Sequence, residues 1–136
     1  MSFAMSGVLQ ASIYDALVSD AALGAIVGAA IYDAVPSGAL PPIYVRLGSE
    51  SATDASDGSG SGAVHKFSVF VITTNPGFAQ AKAAAAAVSD VLHDGDLALS
   101  RGRLVFLRFE RATARRVESE ATRRIEMRFV ARVQDD

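Results

Sequence analysis

The chain has 136 residues, 13 of them lysine or arginine and 15 aspartate or glutamate, with no cysteine and a formal net charge of −2. Half of the residues are apolar, enough for one packed core in a chain that suits a single domain. Without cysteine, disulfides, thiolate catalysis and cysteine-based zinc sites are excluded, and the slightly negative charge argues against a dedicated nucleic-acid binder. No apolar run approaches the roughly 20 residues that cross a bilayer, so no membrane partner is expected. Met1 to Gln10 lacks the basic region and apolar run of a signal peptide.

A first helix is predicted from Ser6, a suitable N-cap, to about Ser19, because Leu9, Ile13, Ala16 and Leu17 recur on one face. Asp20 reads as the cap of a short second helix over 21–27, closed by Gly28. Ile31-Tyr32-Asp33 is extended, and Pro36, Ser37 and Gly38 make a turn. Pro41-Pro42 forbids helix and leads into a strand over 43–47, with Ile43, Val45 and Leu47 on one face and Tyr44 and Arg46 on the other. Residues 48–62 carry the acids Glu50, Asp54 and Asp57, no base and no large apolar side chain. They read as a flexible acidic Gly/Ser loop, and a loop of that length is often functional.

A long strand follows over 63–74. Phe67, Val69 and Val71 face one way, and Lys66, Ser68, Phe70 and Ile72 the other. The second face turns apolar at Phe70 and Ile72, so another element or another subunit is expected to cover it there. Asn75-Pro76 reads as an N-cap followed by proline at the first helical position. The Ala-rich helix runs to about His93, Gly95 ends it, and Phe78, Ala81, Ala85, Val88 and Leu92 form its inner stripe. Strands over 103–112 and 123–133 form a closing hairpin across a polar connection, 113–122. In the last strand Ile125, Met127, Phe129, Ala131 and Val133 point inward, while Arg124, Glu126, Arg128 and Arg132 point outward. The expected fold is α+β: a four-stranded, mostly antiparallel sheet with the N-terminal helix and the long helix on one face.

The residues offer little catalytic chemistry. His65 and His93 stand in no triad context. Gly58 to Gly62 leads into a strand without the Lys-Ser/Thr pair of a phosphate loop. Asp90, Asp94 and Asp96 lack calcium-loop spacing. No catalytic residue, cofactor or metal is expected. Charge, by contrast, is segregated. Residues 1–100 hold 3 basic and 9 acidic side chains, or −6, while residues 101–136 hold 10 and 6, or +4. Such asymmetry suits either head-to-tail contact between subunits or the charged outer face of long strands. Arg115-Arg116 and Arg123-Arg124, with Glu118 and Glu120 between them, are the densest charged groups.

The layout as a whole resembles a known family. The stretch Leu23-Gly24-Ala25-Ile26-Val27-Gly28-Ala29-Ala30-Ile31-Tyr32-Asp33-Ala34-Val35-Pro36 is its most specific part. A Pro-Pro-Ile-Tyr-Val strand (41–45), a polar loop, the strand from His65 to Thr73, the Ala-rich helix and the strand Thr122 to Phe129 complete it. This pattern resembles the tail-terminator, or tail-completion, proteins of long-tailed phages and of phage-derived gene transfer agents, over nearly the full chain. The resemblance implies a structural protein, not an enzyme. It implies a six-membered ring that caps the head-proximal end of the tail tube, stops tube growth and meets a head-completion or stopper protein. DNA would pass through the lumen unread, and the protein would assemble in the bacterial cytoplasm and reside in the particle's tail. On that reading Phe70, Ile72, Arg115, Arg116, Glu118, Glu120, Arg124 and Arg128 are candidates for subunit or tube contact. Glu50, Asp54 and Asp57 are candidates for a lumen-facing or docking loop. A tube subunit or another connector of the particle, a small ligand-binding or enzymatic α+β domain, and a nucleic-acid binder using the C-terminal arginines stand as alternatives.

Overall fold

The computed structural model describes residues 3–58 and 60–135. In chain order these form α1 (Ser6–Val18), α2 (Ala21–Val27), β1 (Ile31–Tyr32), β2 (Ile43–Asp54), β3 (Ser61–Thr73), α3 (Ala79–Leu92), β4 (Arg103–Val117), a 3-10 turn (Glu118–Glu120) and β5 (Thr122–Asp135). Among the described residues the strands make one five-stranded sheet in the order β1-β2-β3-β5-β4. Neighbours are antiparallel except β1, which runs parallel to β2. The α+β class is as expected, but the four-stranded, mostly antiparallel sheet gains a fifth strand, which is the parallel one. The extra strand, β1, pairs Ile31 with Val45 and Tyr32 with Arg46. Two residues are too few for alternation to reveal a strand.

The helices cover one face of this sheet. Leu9, Ile13 and Leu17 of α1, Leu23 and Val27 of α2, and Ala81, Ala84, Val88 and Leu92 of α3 join Val45, Val69, Val71, Ile125, Met127 and Phe129 in one core. The alanines bring the α3 backbone close to the strands, because a methyl group leaves little side chain between them. Phe129 is fully buried and stacks on Phe67, with ring centroids 5.6 Å apart.

Local signals explain some element ends and miss others. The Asp20 carboxylate accepts a 2.8 Å hydrogen bond from the Leu23 N–H, which caps α2 as expected. Ser6 is not a cap; it lies in the first turn of α1, and its hydroxyl donates to Glu50 instead. Nor does α3 begin at Asn75-Pro76. Gly77 takes φ of 84°, which breaks the helical path, so the helix starts after Phe78. Asn75 Nδ2 donates to Gln80 Oε1 at 2.7 Å. At the other end, a Cβ on Gly95 would lie 2.7 Å from the Val91 carbonyl oxygen, so only glycine follows Asp94 without a shift.

The flexible loop read over residues 48–62 is mostly strand. β2 continues to Asp54 past a bulge between Leu47 and Glu50, and Glu50 to Asp54 pair with Phe67 to Ala63 of β3. The connection shrinks to residues 55–60. Small polar residues have weak strand preference of their own, and a long partner strand overrides it. The polar connection read over 113–122 shortens likewise. β4 runs to Val117, and the 3-10 turn with Ala121 in the left-handed region returns the chain to β5.

Candidate functional site

The sheet face turned away from the helices collects five of the candidates: Phe70, Ile72, Arg115, Arg124 and Arg128. Strand pairing places them in rows, since residues opposite one another share a face. One row holds Arg115, Arg124, Ile72 and Tyr44. The next holds Thr113, Glu126, Phe70 and Arg46, and a third Arg111, Arg128 and Ser68. Arg132, Lys66 and Arg108 continue the face toward the far end of the hairpin.

Phe70 and Ile72 are buried within the chain, 8% and 6% exposed. The Arg46 guanidinium lies 4.0 Å over the Phe70 ring and that of Arg124 lies 5.6 Å away. A Cβ on Gly48 would come within 2.4 Å of Phe70 Cε2, so the missing side chain at the β2 bulge makes room for the ring. A neighbour approaching Phe70 therefore meets arginine stems and guanidiniums before it meets the ring.

Three arginine pairs face each other directly across β4 and β5: Arg115 with Arg124, Arg111 with Arg128, and Arg116 with Arg123. Like charges directly opposite on neighbouring strands are destabilising. Relief is partial. Arg124 Nη2 reaches Glu120 Oε1 at 3.4 Å, and Glu126 lies between the first two pairs, where it accepts a 3.3 Å bond from Ser68. The Nε atoms of Arg123, Arg124 and Arg128 are buried and have no hydrogen-bond partner among the described residues.

The candidates do not all converge. Arg116 lies on the helix-side face with Arg123, whose Nη1 donates to the Asn75 carbonyl at 3.2 Å. Glu118 and Glu120 sit in the turn at the end of the β4–β5 hairpin. Glu50 is separated from the other loop acids: its carboxylate takes the Ser6 hydroxyl and lies 3.1 Å from Nδ1 of the fully buried His65. Here the carboxylate stands between the hydroxyl and the imidazole, so the histidine cannot act as base on that serine. Asp54 and Asp57 lie at the tip of the β2–β3 hairpin. The Ser56 hydroxyl donates to Asp54 at 2.7 Å and holds its carboxyl below the usual range near 3.8. Asp57 lies 3.9 Å from Arg132. His93 Nδ1 accepts the Phe109 N–H at 2.9 Å, a structural use.

At the opposite edge of the sheet, a groove of ≈ 500 Å³ runs between α1 and β1, lined by Gln10, Tyr14, Asp15, Tyr32 and Asp33 among others. Residue types alone did not reveal it. Its parts come from two elements whose adjacency depends on the parallel β1–β2 pairing. Among the described residues, no three His, Asp or Glu side chains gather to hold a metal, and no helix is long and apolar enough to cross a membrane.

Fold and surface together define a class: small α+β proteins whose charged chemistry is spread over one sheet face and two unlike edges. Comparison with known proteins makes this specific. A family profile described as tail completion protein gp17 matches residues 11–134. A chain from the solved virion of a native gene transfer agent particle is 59% identical, with a TM-score of 0.92, and the match covers 98% of this chain and 99% of that one. No curated protein matches. The chain belongs to the tail completion protein gp17 family.

Proposed function

We propose that the chain is a ring-forming tail terminator. It caps the head-proximal end of a tail tube, stops tube growth and presents a surface to a head-completion or stopper protein. It acts as a structural protein of a phage-like tail, assembled in the bacterial cytoplasm, without catalysis or cofactor. The observation that carries this reading is the near full-length likeness, at 59% identity, to a chain of a gene transfer agent virion, together with this chain's membership of the tail completion family. A ring also needs two different, complementary surfaces on each subunit, and the sheet ends in two unlike edges.

In this reading the face bearing Phe70, Ile72, Arg115, Arg124 and Arg128 serves subunit or tube contact, with Arg116, Glu118 and Glu120 at the hairpin end. Asp54 and Asp57 present negative charge to the lumen or the tube, so that passing DNA does not adhere. Glu50, held by His65 and Ser6, steadies the strand beneath them. The test is the solution mass of the purified protein by light scattering, with negative-stain images, alone and with tail tube protein. Closed rings near six subunits support the terminator. Long tubes reassign the chain to a tube subunit, and a monomer that tube protein does not drive into rings removes the reading.

A further inference from the structure

The two edges of the sheet differ in chemistry. β4 lies at one edge and presents Arg111 and Arg115 on the face away from the helices, opposite Arg128 and Arg124. Both β4 arginines are exposed, and neither makes an ion pair among the described residues. β1 lies at the other edge and borders the groove of ≈ 500 Å³, whose lining includes Tyr14, Asp15, Tyr32 and Asp33 and no basic side chain. Asp15 and Asp33 are exposed, and they too lack an ion pair among the described residues.

Carboxylates beside aromatic rings suit a guanidinium: the carboxylate supplies the ion pair and the ring supplies a face for the planar cation. The chain already uses guanidinium–ring contact internally, with Arg46 4.0 Å over Phe70 and Arg108 4.2 Å over Phe106. We infer that the Tyr14, Asp15, Tyr32 and Asp33 groove of one copy receives Arg111 and Arg115 of a second copy. This rests on the ring reading above and names the surfaces that meet.

Three observations select a second copy as the occupant. The two patches lie at opposite edges of one sheet, so they cannot meet within a chain. They are opposite in charge and unlike in shape, so their contact is heterologous and propagates head to tail. Finally, the free subunit carries the Arg115–Arg124 and Arg111–Arg128 repulsions, and incoming carboxylates offset them, so docking removes a cost that the isolated chain bears. Nucleic acid is the competing occupant of the arginines. The chain's net charge of −2 opposes its approach, whereas a second copy brings the complementary acids with it.

Two double variants test the pairing: Asp15→Lys with Asp33→Lys, and Arg111→Glu with Arg115→Glu. All four positions are exposed, and circular-dichroism melts check that each variant folds. Each variant alone is expected to sediment as a monomer at a concentration where the wild type assembles. An equimolar mixture is expected to recover the assembled mass, because every altered patch then meets its opposite sign. Either variant assembling alone like the wild type overturns the pairing and leaves the ring reading standing, as does a mixture that stays monomeric. A wild type that stays monomeric even with tail tube protein overturns the ring reading, and this pairing with it. Duplex DNA retained by the wild type and lost by the Arg→Glu variant, with assembly unchanged, assigns the face to nucleic acid and overturns the inference.

Discussion

Arg115 and Arg124 stand directly opposite each other on neighbouring antiparallel strands, and the free subunit carries their repulsion. Replacing Arg115 with threonine removes it and adds a residue suited to strands. The Arg115→Thr subunit is expected to be more stable by roughly 0.2–1 kcal/mol in urea denaturation, while its self-association weakens. A loss of stability would show that the pair is not repulsive in the fold. Asp54 gives a second residue-scale case. The Ser56 hydroxyl bond depresses its carboxyl below the usual range. A carboxyl depressed in the fold contributes stability above its unfolded value near 3.8, and that contribution fades as pH falls through the lower folded value. Ser56→Ala is expected to move the Asp54 titration upward in a carboxylate-detected NMR titration and to erase that acid-side contribution.

The elements set different tolerances on their two sides. Ala84 is fully buried on the face of α3 against the sheet, while Ala83 is exposed. Ala84→Leu forces extra volume into the helix–sheet seam and is expected to cost about 1–3 kcal/mol. Ala83→Leu on the same helix turn is expected to change little, since leucine and alanine are both good helix formers. Thermal melts of the two variants separate packing from propensity: equal melting points would mean that α3 does not lie against the sheet as described. The hairpin of β2 and β3 carries its own element-scale reading. Its tip beyond Asp54 carries one acid, Asp57, and none of its described residues joins the core, so deleting residues 55–60 is expected to leave the melting point near that of the wild type. If the tip docks, the deletion costs terminator function; full retention of tube capping would remove that role.

At the scale of the whole molecule, charge is divided between the two edges of one sheet, and the proposed assembly depends on that division. Screening lengths shrink from about 8 Å at 0.15 M ionic strength to about 3 Å at 1 M. Assembly measured by sedimentation is therefore expected to weaken as sodium chloride rises over this range. An interface dominated by apolar burial would hold or tighten instead. The arginine-covered ring of Phe70 and the buried Ile72 fit the first outcome, because the chain has already covered its own apolar patch.

Much of this protein follows from local pattern. The inward stripe of β5 from Ile125 to Val133, the inner face of α3, the Asp20 cap and the α+β class all depend on residues near one another in the chain, where periodicity and hydrogen-bond geometry act directly. The family likeness was legible for the same reason: its small apolar and turn residues follow one another in order. Other features depended on partners distant in sequence. Residues 50–54 and 113–117 read as loop because their side chains are small or charged, and only pairing with β3 and β5 made them strand. The arginine rows were hidden because β4 has two register shifts, each of which changes which side chains share a face. The groove of Tyr14, Asp15, Tyr32 and Asp33 needed a two-residue parallel strand set beside α1. Sequence alone determined which segments are amphipathic and how charge divides along the chain. Tertiary structure decided which charges stand side by side, because register between distant strands is set by the fold as a whole.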